Sequence, residues 1–207
     1  MFYVILWLIL IILANNFILR KHIDKKGHIV GNDNSNCIYD VGHQNLPIAK
    51  IDGVSRTIGN TMAALPMMYA MFYLPNNNLR GYLIRDLGIL YLIRFVLSSL
   101  TILPSIKKCS RNKVNSIFNI GGCCDLLFSG HASTALISSI YILFYIKPKL
   151  SLYIIIYNII NSLMIIMHRY HYTNDVIVAW IMSFFIFSLH YDKNTSHLIR
   201  KFFSVTK

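Results

Sequence analysis

Two short polar stretches, each at the end of a long apolar run, carry side chains that suit acid–base and nucleophilic chemistry. The second stretch reads HRYHYTNDVIVAW and places His171 and Asp175 four residues apart. In a helix these side chains share one face, and the carboxylate can accept the Nδ1 proton, which fixes the tautomer and leaves Nε2 as a nucleophile or base. The alternative is a purely structural pair, because Asp is favourable at a helix N-terminus.

The first stretch reads CCDLLFSGHAST and contains Ser129, Gly130 and His131 at the start of an apolar run. A glycine lets the backbone approach a ligand closely, and the free amides of a helix N-terminus together with Ser129 suit a phosphate oxyanion. His131 can then protonate a leaving oxygen. The alternative is a serine helix cap followed by a histidine at the membrane interface.

An arginine, Arg94, interrupts the third of the long apolar runs in the sequence, at residues 82–103. A charge near the membrane centre costs at least about 2.5–3.5 kcal/mol on insertion scales, so it normally faces a partner or a wet cavity. A guanidinium can hold a phosphate through two parallel hydrogen bonds, although an ion pair with Asp175 or Asp125 is the structural alternative. Polar residues at helical spacing extend the same face: Tyr91, Ser98 and Thr101.

Taken together, two histidines, a buried arginine and helix-start amides predict phosphoryl transfer through a histidine. One histidine attacks phosphorus, and the other protonates the departing lipid alkoxide. A zinc site formed by His131, His171 and Asp175 is the weaker hypothesis because no fourth ligand is evident. We therefore predict no metal and no other cofactor.

The composition is typical of a polytopic membrane protein. Of the 207 residues, 55% are hydrophobic and only 14% charged, and the apolar residues occur in blocks. The net charge of +12 indicates contact with an anionic bilayer face rather than with nucleic acid, since no basic helix with interleaved aromatic residues occurs. The four cysteines lack zinc-site spacing, and they are either free thiols or include a Cys37–Cys109 bridge.

The apolar runs predict an all-α fold with six transmembrane helices in a single domain of residues 1–207. The first span is interpreted as an anchor rather than a cleaved signal because it lacks a basic leader. A loop (20–56), a catalytic core of the second to sixth spans (57–190) and a tail (191–207) follow it. The predicted spans are residues 2–19, 57–74, 82–103, 129–146, 150–167 and 175–190.

Counting membrane crossings places all the polar stretches on one face. The fourth and fifth spans cross twice, so residues 129–131 and 168–175 lie on the same side. The second and third spans also cross twice, which brings the 20–56 loop and residues 101–125 to that side. Eleven Lys and Arg residues lie there against eight on the other side, in shorter loops, so the charge pattern leaves the absolute orientation open.

Four motifs carry a resemblance to a known family. CCDLLFSGHA at residues 123–132 resembles C-G-D-x3-S-G-H-T, and HYTNDV at residues 171–176 fits H-Y-T-x-D-V completely. Tyr91, Arg94 and Thr101 fit Y-x2-R-x6-T, and YDVGHQNLP echoes a first motif. In this order, over about residues 40–190, the chain resembles the sphingomyelin synthase family of the PAP2-like lipid phosphate phosphatase superfamily.

The resemblance implies a phosphotransferase of the phosphatidylcholine:ceramide cholinephosphotransferase type, with membrane lipids as its partners. His171 would be the nucleophile, Asp175 would orient it, and His131 would be the acid and base. It also places the site on the luminal or extracellular face. The residues that it implies as substrate-binding are Arg94, Tyr91, Ser129, Gly130, Asp125 and Tyr172.

Departures from the family motifs bear on the choice of head group and acceptor. Cys124 replaces a glycine and Ala132 replaces a threonine. Gly81-Tyr82 occupies the two positions at which the second motif of the family begins with a double arginine. One rival function is a PAP2-type lipid phosphate phosphatase in which water is the acceptor, but its K-x6-R-P motif is missing. The other rival is an inactive lipid-binding membrane protein, against which the retained histidines and Arg94 argue.

Overall fold

The structure is a computed structural model that describes residues 40–49, 54–100 and 127–189. Within these ranges 85% of the residues are helical and no strand occurs, which confirms the all-α prediction. The described helices are α1 (Val41–Asn45), α2 (Val54–Tyr73), α3 (Asn77–Leu100), α4 (Gly130–Tyr145), α5 (Ser151–Met167) and α6 (Thr173–Leu189).

A tight turn joins α2 to α3, and side chains satisfy the helix ends on both sides of it. Asn76 accepts a hydrogen bond from the backbone N–H of Leu79 at 2.8 Å, as an N-cap side chain does. Arg80 donates to the carbonyl of Leu74 at 2.9 Å and so satisfies a carbonyl at the end of α2. The chain returns to its starting side through this turn, because Asn60 near the start of α2 and Arg94 in the second half of α3 both reach the start of α4.

The central helix of the bundle is α4, which packs against α2, α3, α5 and α6. Its sequence GHASTALISSIYILFY is rich in small side chains, and small residues allow helix backbones to approach closely in a membrane. Nearly its whole length is buried as a result. Residues at the start of α4 are thereby held among the helices that carry the other candidate site residues.

The connection from α4 to α5 is a single 3-10 turn, Pro148–Leu150, with the exposed Lys147 just before it and the exposed Lys149 within it. Proline is favourable at the first position of a helical turn because its missing N–H has no partner there in any case. This short break makes α4 and α5 a helical hairpin, so the start of α4 and the end of α5 lie at the same end of the bundle.

The helices coincide with the second to sixth predicted spans to within a few residues. In the described ranges, one helix is long and apolar enough to cross a membrane, Pro148–Met167, and the apolar helix Thr173–Leu189 is shorter. The outer face of α5 exposes large apolar side chains, as a lipid-facing helix does. The first predicted span and the 101–126 segment lie outside the described residues, so the six-span topology stays a prediction.

Candidate active site

His171 and Asp175 meet at the start of α6. The Nδ1 atom of His171 lies 3.0 Å from Oδ2 of Asp175, and both side chains are buried. His171 precedes the helix, so the pair forms across the first turn rather than along a continuous helix face. Because a carboxylate only accepts, Nδ1 carries the proton, and Nε2 is the nitrogen with an available lone pair.

The same carboxylate oxygen also holds the backbone of the residue that follows His171. Tyr172 donates its backbone N–H to Oδ2 of Asp175 at 3.0 Å. The N–H of Asp175 in turn donates to the carbonyl of Tyr172 at 3.1 Å. Tyr172 therefore acts at the site through its backbone, and a substrate contact by its side chain stays a prediction.

The turn that carries His171 follows α5 and contains a residue with a left-handed backbone conformation. Arg169 has a φ of 57°, in the left-handed region where glycine is usual. The N–H of Tyr170 bonds to the carbonyl of Ile165 at 3.1 Å, and the N–H of Arg169 bonds to that of Ile166 at 2.9 Å. These two bonds define a Schellman motif, which ends the helix and reverses the chain toward His171.

The side chain of Arg169 fastens this turn to a distant part of the chain. Its Nη2 donates to the carbonyl of His43 at 2.7 Å and to that of Leu46 at 3.2 Å. The carbonyl of Met167 also accepts the N–H of Ala49 at 3.2 Å. Residues 40–49 thus form a brace, defined here as α1 with its flanking residues, that lies against the turn carrying His171.

Asp40 is the strongest anchor of the brace. Its Oδ2 accepts the N–H of Thr173 at 2.7 Å, its Oδ1 accepts the hydroxyl of Thr173 at 2.7 Å, and the N–H of His43 donates to Oδ1 at 2.9 Å. Burial alone would raise the pKa of Asp40, but these hydrogen bonds and the nearby His43 outweigh it and hold the pKa below its usual value. Asp40 is therefore a carboxylate at neutral pH.

His43 adds a further contact between the brace and the turn. Its Nε2 lies 3.1 Å from the carbonyl oxygen of His171, and because a carbonyl only accepts, Nε2 donates. The sequence drew attention to Asp40 only as an echo of a motif, and it gave no role to His43 or Arg169. An aspartate placed just before a short helix is an N-cap signal, but nothing local indicates its partner 133 residues away.

The start of α4 is tied to the start of α6. The hydroxyl of Ser129 accepts the N–H of Ala132 at 3.3 Å, so the helix-cap interpretation of Ser129 describes its observed contact. The N–H of Ser129 donates to the backbone carbonyl of Asp175 at 3.2 Å. The two polar stretches of the sequence are therefore joined directly, whereas a substrate contact by Ser129 stays a prediction.

Arg94 reaches the start of α4 from the second half of α3, and its side chain is buried. A Cβ atom built on Gly130 would collide with Nη1 of Arg94, so the absence of a side chain at Gly130 makes room for the guanidinium. On the same face of α3, the hydroxyl of Tyr91 lies 3.3 Å from Oγ1 of Thr134. The structure therefore brings Arg94 and Gly130 together, and it uses Tyr91 in a contact between α3 and α4.

His131 lies in the first turn of α4, and its Nε2 is 2.6 Å from Oδ1 of Asn60 in α2. Sequence reasoning missed Asn60. The available signal was a polar side chain inside the second apolar run, IGNTMAALPMM. Asp125, the remaining predicted substrate-binding residue, lies outside the described residues.

Metal binding was considered for the same side chains. Across residues 40–49, 54–100 and 127–189, no group of three or more His, Cys, Asp or Glu side chains is arranged to hold a metal ion. Within these ranges, His131, His171 and Asp175 are not grouped as metal ligands. Their described partners are instead an amide oxygen for His131 and a carboxylate for His171.

Comparison with known proteins agrees with this geometry. Residues 122–193 match the family model described as PAP2 superfamily, C-terminal, and the match includes both histidines and Asp175. The match supports the PAP2-like superfamily, whose members are generally membrane proteins, and it fits a lipid enzyme of the phosphatase or phosphotransferase type. No curated protein matches the chain.

The contact between Gly130 and Arg94 predicts that Gly130→Ala lowers phosphoryl-transfer activity. The added methyl group displaces the guanidinium, and a misplacement of about 1 Å at a reacting centre can cost about 100-fold in rate. The measurement is turnover of purified protein in liposomes, alongside its thermal unfolding midpoint. Gly81→Ala is the matched control, because a Cβ there meets nothing within 4 Å and alanine is the better helix former. A folded Gly130→Ala protein with full activity would show that the close approach is unimportant.

Proposed function

We propose that the protein is a membrane lipid phospho-head-group transferase of the sphingomyelin synthase type. It moves phosphocholine, or a related head group, from a glycerophospholipid to ceramide and releases diacylglycerol. The observation that carries the proposal is the buried His171–Asp175 pair, with 3.0 Å between Nδ1 and Oδ2, inside the segment that matches the PAP2 superfamily. His131 lies at the start of α4, which Arg94 reaches from α3 and whose cap residue Ser129 is hydrogen-bonded to the backbone of Asp175.

In the first half-reaction, Nε2 of His171 attacks phosphorus and the bond from phosphorus to the glycerol oxygen breaks. His131 donates a proton to that oxygen, so diacylglycerol leaves as a neutral alcohol. The imidazole of His171 gains positive charge as the N–P bond forms. Asp175 stabilises that charge through Nδ1–H and keeps the ring aimed.

In the second half-reaction, the primary hydroxyl of ceramide attacks phosphorus and the N–P bond breaks. His131, now neutral, takes the hydroxyl proton and returns to its starting state. Negative charge on the phosphate oxygens is balanced by the Arg94 guanidinium and by the first amides of α4. Because both half-reactions use the same groups in reverse roles, no further acid or base is required.

Ceramide is proposed as the acceptor, rather than water, because of the sequence motifs and of two buried side chains. The motifs typical of a lipid phosphate phosphatase, P-S-G-H and S-R-x5-H-x3-D, place a proline at position 128 and an arginine at position 165 when their histidines are set on His131 and His171, whereas this chain has Phe128 and Ile165. Both are apolar core residues, 0% and 1% exposed. An apolar core side chain at position 165 cannot supply the phosphate contact of an arginine, which favours the transferase over the water-dependent rival.

The proposal includes one six-span domain with its active site on the luminal or extracellular face. The α4–α5 hairpin and the contacts of Asn60 and Arg94 with the start of α4 support the placement of the site residues on one side, and the motif resemblance favours the outer face. The tail at 191–207 would then be cytosolic.

This topology predicts that Asn194, in the sequon Asn194-Thr195-Ser196, receives no glycan in a eukaryotic cell. Glycosidase treatment followed by gel electrophoresis checks it, with a sequon inserted into the 20–56 loop as the positive control. A mobility shift that is lost in Asn194→Gln would place the tail in the lumen and the active site on the cytosolic face.

Transfer itself is tested with purified full-length protein in liposomes that contain head-group-labelled phosphatidylcholine, with and without ceramide. Parallel liposomes contain labelled phosphatidic acid, the donor for a phosphatase. We expect labelled sphingolipid only when ceramide is present, and at least a 100-fold loss in His171→Ala, since removing the nucleophile removes the covalent route. His197→Ala, in the tail, is the control for a histidine outside the motifs.

Three other outcomes each contradict the proposal. Release of phosphate from phosphatidic acid without ceramide would identify the lipid phosphatase. No turnover of either donor by inserted, folded protein would favour the lipid-binding rival. Full transfer by His171→Ala would end the phosphohistidine mechanism.

A further inference from the structure

The two candidate catalytic histidines have chemically different partners. His171 is paired with a carboxylate, whereas His131 is paired with the side-chain amide of Asn60, with 2.6 Å between Nε2 and Oδ1. The two residues of the second pair are 71 positions apart and belong to α2 and α4, which pack against each other. Neither motif resemblance nor local spacing assigns a role to Asn60.

An amide oxygen accepts a hydrogen bond and does not titrate. A proton on Nε2 satisfies Asn60 in both the neutral and the cationic form of His131, so the amide fixes the tautomer without strongly favouring either charge state. A carboxylate in the same place would favour the cation. This difference suits the two tasks, because His171 gains positive charge when it is phosphorylated whereas His131 must release and regain a proton in each cycle.

We propose that Asn60 is a positioning residue for His131. It keeps one proton on Nε2 throughout the cycle, and Nδ1 is therefore the nitrogen that gives a proton to the diacylglycerol oxygen and later takes one from the ceramide hydroxyl. The inference rests on the proposed function for this role of Nδ1. The assignment of the Nε2-protonated tautomer rests on the geometry alone.

The tautomer is tested without any activity measurement. Full-length protein with ¹⁵N-labelled histidine is reconstituted in lipid and studied by solid-state NMR at a pH where the ring is neutral, and the His131 signals are identified by their loss in His131→Gln. We expect the Nε2-protonated form in the wild type and a mixture of both tautomers in Asn60→Leu. A wild-type ring protonated on Nδ1, or a single unchanged tautomer in Asn60→Leu, overturns the inference even if transfer activity is present.

The pH dependence of transfer separates positioning from a merely structural role. Asn60→Asp places a carboxylate against Nε2 and favours protonated His131, so the alkaline limb of the kcat profile should move up by about one pH unit or more. Among the described residues, Arg94 of α3 has its guanidinium against Gly130, and Asp175 of α6 accepts the N–H of Ser129 through its backbone carbonyl; both are unchanged in the variant. The shift therefore reports on position 60.

Thr61→Asp is the matched control, because it adds the same charge one residue away at an exposed position of α2. Its alkaline limb should coincide with that of the wild type. Asn60→Leu should lower kcat about tenfold or more with little change in KM, since general acid–base catalysis contributes about 100- to 10,000-fold when it is intact. An unmoved profile in Asn60→Asp, or an equal shift in Thr61→Asp, contradicts the proposal. If transfer activity is absent altogether, the NMR result still decides the tautomer.

Discussion

The architecture of the site depends on the carboxylate of Asp175. One of its oxygens holds Nδ1 of His171 and the N–H of Tyr172, each at 3.0 Å, and its backbone carbonyl accepts the N–H of Ser129. A single residue in the first turn of α6 thus fixes the direction of one histidine and the position of the helix that carries the other. A buried carboxylate without such partners would be strongly disfavoured, so the same contacts that aim His171 also keep Asp175 in place.

The turn before α6 shows how irregular backbone is tolerated at the edge of an apolar bundle. Polar backbone groups there need partners within the protein, because lipid offers none. Asp40 accepts the N–H of Thr173, and His43 donates to the carbonyl of His171. Arg169 in turn donates to two carbonyls of the brace. The polar groups of the brace and of the turn are therefore hydrogen-bonded to each other. These bonds fix the backbone of His171 and add no side chain where the reaction takes place.

Much of this arrangement could be predicted from the sequence, because much of it is local. The apolar runs and their proline and asparagine breaks located five helices, α2 to α6, and the spacing of His171 and Asp175 indicated their contact. Asn60, His43 and Arg169 were missed because each works through a partner 71 or more residues away, and no local pattern encodes such a distance. The sequence also suggested substrate contacts for Tyr172 and Ser129, whereas the described contacts of Tyr172 include its backbone and the ring of His43, and those of Ser129 include its helix-capping hydroxyl.

Trapping the covalent intermediate tests most directly whether the head group passes through His171. Full-length protein in liposomes of phosphatidylcholine, without ceramide, is denatured at alkaline pH, where a phosphohistidine bond survives, and its peptides are examined by mass spectrometry. We expect a phosphocholine adduct on His171 that disappears, with formation of labelled sphingolipid, when ceramide is added before denaturation. An adduct on His131 instead, or ceramide-dependent transfer without any modified histidine, would contradict it.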